Sequence, residues 1–205
     1  VLDLVSTDST IELVSIQANR VGTDSADIII GFESQDVIVA GAGDDIVAMI
    51  AGDDIVYTQA GDDQVYVNEL PKRIDGGEGV DVLTVGTSVD FREIEGTVLE
   101  RMEVISLRDL KSSIVELDAD SIARIVDGDN GLTSVNSSLV VVGDDGDRVK
   151  LFGDFAENGE TVLNIEGFGD TSFAVYTLDD VSLFVADNMV LEIYQSDGSK
   201  VVNSS

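Results

Sequence analysis

The chain contains no cysteine, no histidine and no tryptophan among its 205 residues, and only one proline. Without Cys or His it cannot form the zinc sites that these ligands build, and it has no thiol nucleophile. The lack of His also excludes every catalytic triad whose base is an imidazole. Acidic side chains are abundant instead, so the composition favours cations that bind oxygen ligands.

Basic residues are scarce, with 11 Lys and Arg against 41 Asp and Glu, which gives a formal net charge of −30. A surface of this sign is repelled by phosphate backbones, so nucleic-acid binding is not expected. Attachment to anionic membranes through a basic patch is equally disfavoured. No apolar run approaches the roughly 18 residues of a membrane span, so membrane insertion is not expected. Because the charge opposes compaction, we expect at least the most acidic region to be unfolded, or nearly so, without metal.

Residues 22–84 repeat with a period of nine. In lines of nine that begin at Gly22, the sixth position is acidic in six of seven lines: Asp27, Asp36, Asp45, Asp54, Asp63 and Asp81. The eighth position is apolar in every line: Ile29, Ile38, Val47, Val56, Val65, Ile74 and Leu83. A fixed acid followed two residues later by a fixed apolar side chain predicts a turn that leads into a short strand.

Glycines accompany the acids in the turn half of most lines. They are Gly41, Gly43, Gly52, Gly61, Gly77 and Gly79. Glycine permits backbone angles that other residues avoid, so a short segment can turn sharply and expose its carbonyls. Carbonyl and carboxylate oxygens are the ligands that Ca²⁺ prefers, six to eight at a time. One line cannot supply that many, so each ion would need two turns.

This pattern resembles the calcium-binding nonapeptide repeat of RTX (repeats-in-toxin) proteins. The resemblance implies a parallel β-roll in which two lines form one coil and about four or five Ca²⁺ ions lie between stacked turns. The six acids would supply the carboxylates, and the six turn glycines would supply carbonyls. The expected ion positions lie between Asp27 and Asp45, Asp45 and Asp63, Asp63 and Asp81, and Asp36 and Asp54. Parallel crossovers favour a right-handed coil.

The line 67–75 departs from the pattern. It has Lys72 in place of the acid, Leu70 in place of a glycine, and the only proline, Pro71. We interpret it as a coil whose turn has lost its calcium site. Our hypothesis is that the Lys72 ammonium group takes the place of an ion beside Asp54.

The composition predicts an all-β protein in three parts. Residues 1–21 form a lead-in strand or N-terminal cap, residues 22–84 the roll, and residues 85–205 a β-rich C-terminal capping domain with at most one short helix. The helix is expected over Ala119–Val126 with Asp118 as its N-cap. Strand-like runs after the repeats are 97–107, 112–117, 138–142, 147–151, 161–165, 172–178, 182–186 and 189–194. The segment 142–149 is either a decayed repeat with Asp147 as its acid or an ordinary Asp-Gly turn.

Three segments after the repeats resemble stretches found beside RTX repeats in giant bacterial adhesins that are exported by type I secretion. They are Met102–Leu107, Val140–Leu151 and Phe173–Tyr176. The resemblance implies a non-enzymatic, calcium-folded structural module of a secreted or surface-attached bacterial protein, located outside the cell or on its surface. Residues 85–205 could then bind a host-surface, biofilm or carbohydrate ligand.

Other functions remain open at this point. The chain could be an accessory RTX domain of a type I-secreted enzyme or toxin whose active site lies outside residues 1–205. It has neither a His-Glu-x-x-His zinc motif nor a Gly-x-Ser-x-Gly elbow. A metal-free solenoid would need the apolar positions but not a fixed acid. Ice binding is disfavoured because the variable turn positions carry no ladder of Thr or Asn.

Overall fold

The computed structural model describes residues 2–7, 10–15, 18–94, 99–107, 112–128, 131–133, 135 and 137–204. The strands, in chain order, are β1 Leu2–Thr7, β2 Thr10–Ser15, β3 Arg20–Val21, β4 Ile28–Ile30, β5 Val37–Ala42, β6 Ile46–Ala48, β7 Ile55–Ala60, β8 Gln64–Val67, β9 Arg73–Glu78, β10 Val82–Val85, β11 Val89–Asp90, β12 Leu99–Glu100, β13 Val104–Ser106, β14 Ile114–Asp118, β15 Ser138–Val142, β16 Arg148–Phe152, β17 Ala156–Ile165, β18 Gly169–Leu178, β19 Val181–Ala186, β20 Val190–Tyr194 and β21 Lys200–Ser204. A 3₁₀ turn covers Phe91–Glu93, and helix α1 covers Ala119–Val126.

Three large sheets form the body of the protein. The long sheet has nine strands in the order β17-β18-β19-β15-β13-β10-β8-β6-β4. The repeat sheet has the order β12-β9-β7-β5-β3, and the C-terminal sheet has the order β11-β14-β16-β20-β21. All pairs from β3 to β16 are parallel, as are β15 with β19 and β16 with β20. This parallel arrangement confirms the expected all-β roll.

Two repeat lines make one coil of the roll. Val47 of β6 pairs with Val65 of β8, and Ile38 of β5 pairs with Val56 of β7. The chain therefore returns to the same sheet after two lines of nine. Alternate side chains of a strand point to the same face, and the eighth position of each line supplies an inward one. These side chains are fully or almost fully buried in every line except the first, where Ile29 is half-buried.

Parallel stacking continues beyond the last repeat. Leu83 of β10 pairs with Ile105, Ile105 pairs with Val141, and Val141 pairs with Val185. The period of nine ends at residue 84 because longer loops and helix α1 lie between the later strands, whereas the inward residues still stack. The division of the chain into a roll and a C-terminal domain stays a prediction, and hydrogen-bonded strands of the long sheet lie on both sides of it.

Antiparallel strands lie at the margins of the sheets. β17 and β18 form a hairpin beside β19, and β21 pairs with β20. β1 and β2 form a separate two-stranded sheet. No helix within the described ranges is long and apolar enough to cross a membrane.

Helix α1 forms where the sequence predicts it. The Asp118 carboxylate accepts a hydrogen bond from the Ser121 amide at 2.8 Å, and the Ser121 hydroxyl oxygen accepts one from the Asp118 amide. This reciprocal cap satisfies two amides that the helix itself leaves unpaired. The helix buries Ile122, Ile125 and Val126 against the core.

Candidate metal centre

The turns of the coils form two stacks on opposite sides of the roll. The first turn stack consists of residues 22–27, 40–45, 58–63 and 76–81, and it leads from the repeat sheet to the long sheet. The second turn stack consists of residues 31–36, 49–54 and 67–72, and it leads back again. Each stack brings together acids that are two lines apart in the sequence, as the resemblance implied.

The six turn glycines named from the sequence all have positive φ, between 102° and 137°. They also allow close stacking. A β-carbon on Gly77 would lie 1.9 Å from the Gln59 carbonyl oxygen, and one on Gly61 would lie 2.3 Å from the Gly43 carbonyl oxygen. Backbone carbonyls therefore lie between successive turns, where they can contribute to cation sites.

The acids of the first turn stack form a hydrogen-bonded ladder. The Asp27 amide donates to Asp45 Oδ1 at 2.8 Å, and the Asp45 amide donates to Asp63 Oδ1 at 2.7 Å. The Asp63 amide in turn donates to Asp81 Oδ1 at 3.0 Å. Each of these bonds spans one coil, so one carboxylate oxygen of each acid fixes the preceding turn.

The second carboxylate oxygen of three ladder acids is buried without a hydrogen-bond donor. These atoms are Oδ2 of Asp45, Asp63 and Asp81, whose residues are at most 1% exposed. The Thr58 hydroxyl lies close to the Asp63 carboxylate, but it donates its one proton to the Gly76 carbonyl at 2.5 Å. A buried charged oxygen without a donor costs more than the roughly 1–3 kcal/mol of a neutral polar group. Several such oxygens in one stack, with carbonyls nearby, fit an oxygen-binding cation, and Ca²⁺ accepts irregular oxygen sites more readily than Mg²⁺.

In the first turn of each stack, the amide of the second residue donates a hydrogen bond to the acid at the end of the same turn. Asp27 Oδ2 accepts from the Thr23 amide at 2.6 Å, and Asp36 Oδ2 accepts from the Phe32 amide at 2.5 Å. In the inner turns of the first stack this residue is left-handed and makes no such bond, as at Gly41 with φ 122° and Gly77 with φ 102°. The protein itself therefore supplies a donor to these two acids.

Asp36 has further protein partners. Its Oδ1 accepts from the Asn19 side-chain amide at 3.0 Å and lies 3.4 Å from Arg20 Nε. The Arg20 guanidinium also lies 3.7 Å from the centre of the Phe32 ring. Arg20 thus places a cation at the N-terminal end of the second turn stack. The calcium role expected for Asp36 stays a prediction, as does that of Asp54, whose Oδ1 accepts from the Asp36 amide at 2.7 Å.

The line 67–75 keeps its place in the roll despite its altered turn. Ile74 and Pro71 are buried, and Ile74 pairs with Val56 in register. Lys72, however, is exposed and makes no ion pair in the part of the chain that the structure describes. The structure therefore does not support the hypothesis that its ammonium group replaces an ion beside Asp54. The altered turn points the long side chain into water, where its charge is best solvated.

Burial raises the pKa of the stacked acids. It raises the pKa of Asp63 to about 6 and that of Asp81 to about 8, and neighbouring carboxylates add to both effects. The pKa values of Asp45 and Asp54 are also raised, again mainly by burial. A buried acid with a raised pKa is poorly compensated by the protein alone, so a bound cation would relieve the cost of ionisation.

No three acidic side chains converge on a metal position among residues whose placement is described. This agrees with sites of the kind expected here, in which two carboxylates from successive turns combine with backbone carbonyls. Such a site is recognised only when backbone carbonyl oxygens are counted together with the carboxylates.

Sequence reasoning did not identify Glu103 as part of the ladder. Its Oε2 accepts from the Asp81 amide at 2.8 Å, so it occupies the position of the next acid. The signal was present, because residues 103–106 read Glu-Val-Ile-Ser where residues 81–84 read Asp-Val-Leu-Thr. It was hidden because Glu103 lies outside the register of nine.

Asp147 confirms the turn within the segment 142–149. Its Oδ1 accepts from the Ser113 amide at 2.8 Å, and its Oδ2 accepts from the Asp144 amide at 2.7 Å. Both oxygens therefore have donors, so the geometry favours the Asp-Gly turn over a further calcium site.

Gln59 offers a test of the turn geometry. It occupies the left-handed position of Gly41 and Gly77, with φ 83°, at a cost of roughly 1–2 kcal/mol for a residue with a β-carbon. We expect Gln59→Gly to raise the free energy of unfolding in calcium by about 1 kcal/mol, measured by urea denaturation. Gln59→Ala is the matched control, because it removes the same amide and keeps the strain. Equal effects of the two variants would contradict this explanation.

Comparison with protein families agrees with this geometry. A family model, the RTX calcium-binding nonapeptide repeat, matches residues 21–47 and 51–69 in four copies. Searches of the curated proteins and of the solved structures gave no significant match. The matched residues cover the first three turns of the first stack, the first turn of the second stack, and residues 51–54 of the turn that follows it. The chain therefore carries an RTX calcium-binding region, folded as a β-roll of nonapeptide repeats.

Proposed function

We propose that the chain is a calcium-folded structural module of an adhesin that is secreted or attached to the bacterial surface. The observation that carries the calcium part is the row of buried carboxylate oxygens without donors, at Asp45, Asp63 and Asp81. The residues that would hold the ions are these acids and the carbonyls of the glycine turns on either side. Bound Ca²⁺ supplies positive charge, and the chain supplies a prebuilt stack of oxygens.

Composition and charge support folding that depends on calcium. With a net charge of −30, the metal-free chain is destabilised by self-repulsion. Ions that bind only the folded chain add their binding free energy to its stability. Extracellular calcium modules typically bind with dissociation constants of about 10⁻⁴ to 10⁻³ M. Such affinities leave the module open where calcium is scarce and close it outside the cell, which supports an extracellular or cell-surface location.

The adhesin assignment is supported by the segments after the repeats. Of the segments that resemble regions beside adhesin repeats, Met102–Leu107 and Phe173–Tyr176 contribute strands to the long sheet, which also contains strands of the repeats. Val140–Leu151 contributes β15 to this sheet and β16 to the C-terminal sheet. A structural spacer suits this continuous stacking. Under this proposal a host-surface, biofilm or carbohydrate ligand would bind through residues 85–205, and the chain itself would carry no catalytic activity.

Far-ultraviolet circular dichroism tests the calcium-dependent fold directly. The chain is titrated in chelator with Ca²⁺ and, separately, with Mg²⁺. We expect a cooperative gain of β signal at about millimolar Ca²⁺ and no comparable gain with Mg²⁺, because Mg²⁺ demands a stricter geometry. A chain that is already folded in chelator and does not respond to Ca²⁺ would contradict the proposal.

A further inference from the structure

The first turn stack does not end at the last nonapeptide. The turn 101–103 connects β12 to β13 and lies directly on the turn 76–81. Glu100 pairs with Asp75 before the two turns, and Val104 pairs with Val82 after them. The turn 101–103 thus has three residues where the turn 76–81 has six, and it contains no glycine. It is therefore not a nonapeptide repeat.

The short turn nevertheless reproduces the backbone contact of a repeat. A β-carbon on Gly22 would lie 2.0 Å from the carbonyl oxygen of Ala40, the first residue of the next turn. A β-carbon on Gly76 would likewise lie 2.0 Å from the Arg101 carbonyl oxygen. Arg101 is left-handed, with φ 51°. The left-handed conformation is unfavourable for a residue with a side chain. At Arg101 it places the backbone carbonyl where the carbonyl of a repeat turn would lie.

Glu103 makes the same ladder contact that the acid of a further repeat would make. Its carboxylate accepts from the Asp81 amide at 2.8 Å, just as the Asp81 carboxylate accepts from the Asp63 amide at 3.0 Å. The residue is only 3% exposed. Val104 pairs with Val82, so Glu103 follows its turn in the same register as Asp81, and its side chain, one methylene longer than that of Asp, reaches the Asp81 amide.

The remaining oxygen of Asp81 faces this turn. Asp81 is fully buried, and its Oδ2 has no hydrogen-bond donor. Asp81 Oδ2 lies 2.5 Å from the point that a β-carbon on Gly76 would occupy. The Arg101 carbonyl oxygen lies 2.0 Å from the same point. The Arg101 guanidinium pairs with Asp75 and makes no ion pair with Asp81 within the described ranges. A buried carboxylate oxygen and a carbonyl thus converge on one point, and the carboxylate has no ion-pair partner there.

We propose that the turn 101–103 and the turn 76–81 form an additional calcium site, held by Asp81, Glu103 and the Arg101 carbonyl. The inference rests on the proposed function, since the ion and its neighbouring sites are the same. The site would also connect the repeats to helix α1, because the buried Met102 donates its amide to the Ile125 carbonyl at 3.1 Å. The row of ions would therefore extend one step beyond the nonapeptides.

Equilibrium dialysis against Ca²⁺, with the bound metal measured by atomic absorption, tests this site. Glu103→Gln keeps an oxygen for the Asp81 amide and loses the charge, whereas Glu103→Asp keeps the charge and loses the reach. We expect each variant to bind one ion fewer per chain than the unmodified protein. Glu100→Gln is the matched control and should bind the full number, because Glu100 pairs with Arg73 outside the site.

The possible results separate this inference from the proposed function. An unchanged number of ions in both Glu103 variants would overturn the additional site and leave the repeat sites intact. Loss of two or more ions in chains that circular dichroism shows to be folded would also overturn it, since Glu103 would then support the stack without a local ion. An unmodified chain that binds no calcium would overturn the proposed function itself.

Discussion

Replacing Asp63 by Asn is expected to change stability in opposite directions with and without calcium. In chelator at about pH 8, Asn keeps an oxygen for the Asp45 amide and removes a buried charge whose pKa burial raises to about 6. The free energy of unfolding should therefore rise by on the order of 2 kcal/mol. In about 10 mM Ca²⁺ the variant lacks a carboxylate that two neighbouring sites share, and it should be about 3 kcal/mol less stable than the unmodified chain.

Circular dichroism follows urea denaturation in calcium. In chelator, where the chain is expected to be unfolded, it follows the gain of β signal with increasing trimethylamine N-oxide, an osmolyte that favours the folded state. Asp147→Asn is the matched control, because Asp147 is also a buried aspartate of a turn, but both of its oxygens accept amide hydrogen bonds. This control should lose stability equally in chelator and in calcium. If Asp63→Asn behaved in the same way as the control, Asp63 would have a structural role only.

The metal-free fold is expected to lose stability as the pH rises from about 4 to about 8. Burial raises the pKa of Asp63 to about 6, of Glu103 to about 7 and of Asp81 to about 8. The unfolded chain releases these protons near pH 4, whereas the folded chain retains them to higher pH. The folded state therefore binds more protons across this window, and its stability falls with increasing pH by several kcal/mol.

Calcium should reverse this dependence, because it replaces the protons with a divalent charge. When trimethylamine N-oxide keeps the metal-free chain folded, we expect calcium binding at about pH 7 to release roughly one to two protons per chain. Calorimetric titrations in two buffers with different ionisation enthalpies measure the number released. A metal-free fold that gained stability between pH 4 and pH 8, or calcium binding that released no protons, would contradict this expectation.

The repeat region could be predicted from the sequence because each of its requirements falls at a fixed position. Asp45, Val47 and Gly43 each recur in the next coil after two lines of nine, and turn, strand and inward side chain follow from that spacing. Helix α1 was predictable for a similar reason, since Asp118 marks its start and its apolar residues share one face. These features depend on local sequence alone.

The continuation of the roll could not be predicted in this way. Parallel stacking requires only that inward residues meet, so the loops between them can have any length. Ile105 therefore stacks on Leu83, and Val141 on Ile105, although no common period relates them. Likewise, no pattern of residues predicts that the Asp36 carboxylate accepts a hydrogen bond from the Phe32 amide and pairs with Arg20. These contacts depend on the backbone conformation of one turn.

The hydrogen-bonded ladder has a direction that affects how the protein can be made. Each amide of the first turn stack depends on a carboxylate one coil later in the chain, from Asp27 to Asp45 and finally from Asp81 to Glu103. During translation the donors therefore leave the ribosome before their acceptors. No turn of this stack can close until the following coil has been synthesised, and order spreads from the C-terminal side towards the N-terminus. A nascent chain halted before Glu103 should lack the anchor of the whole row.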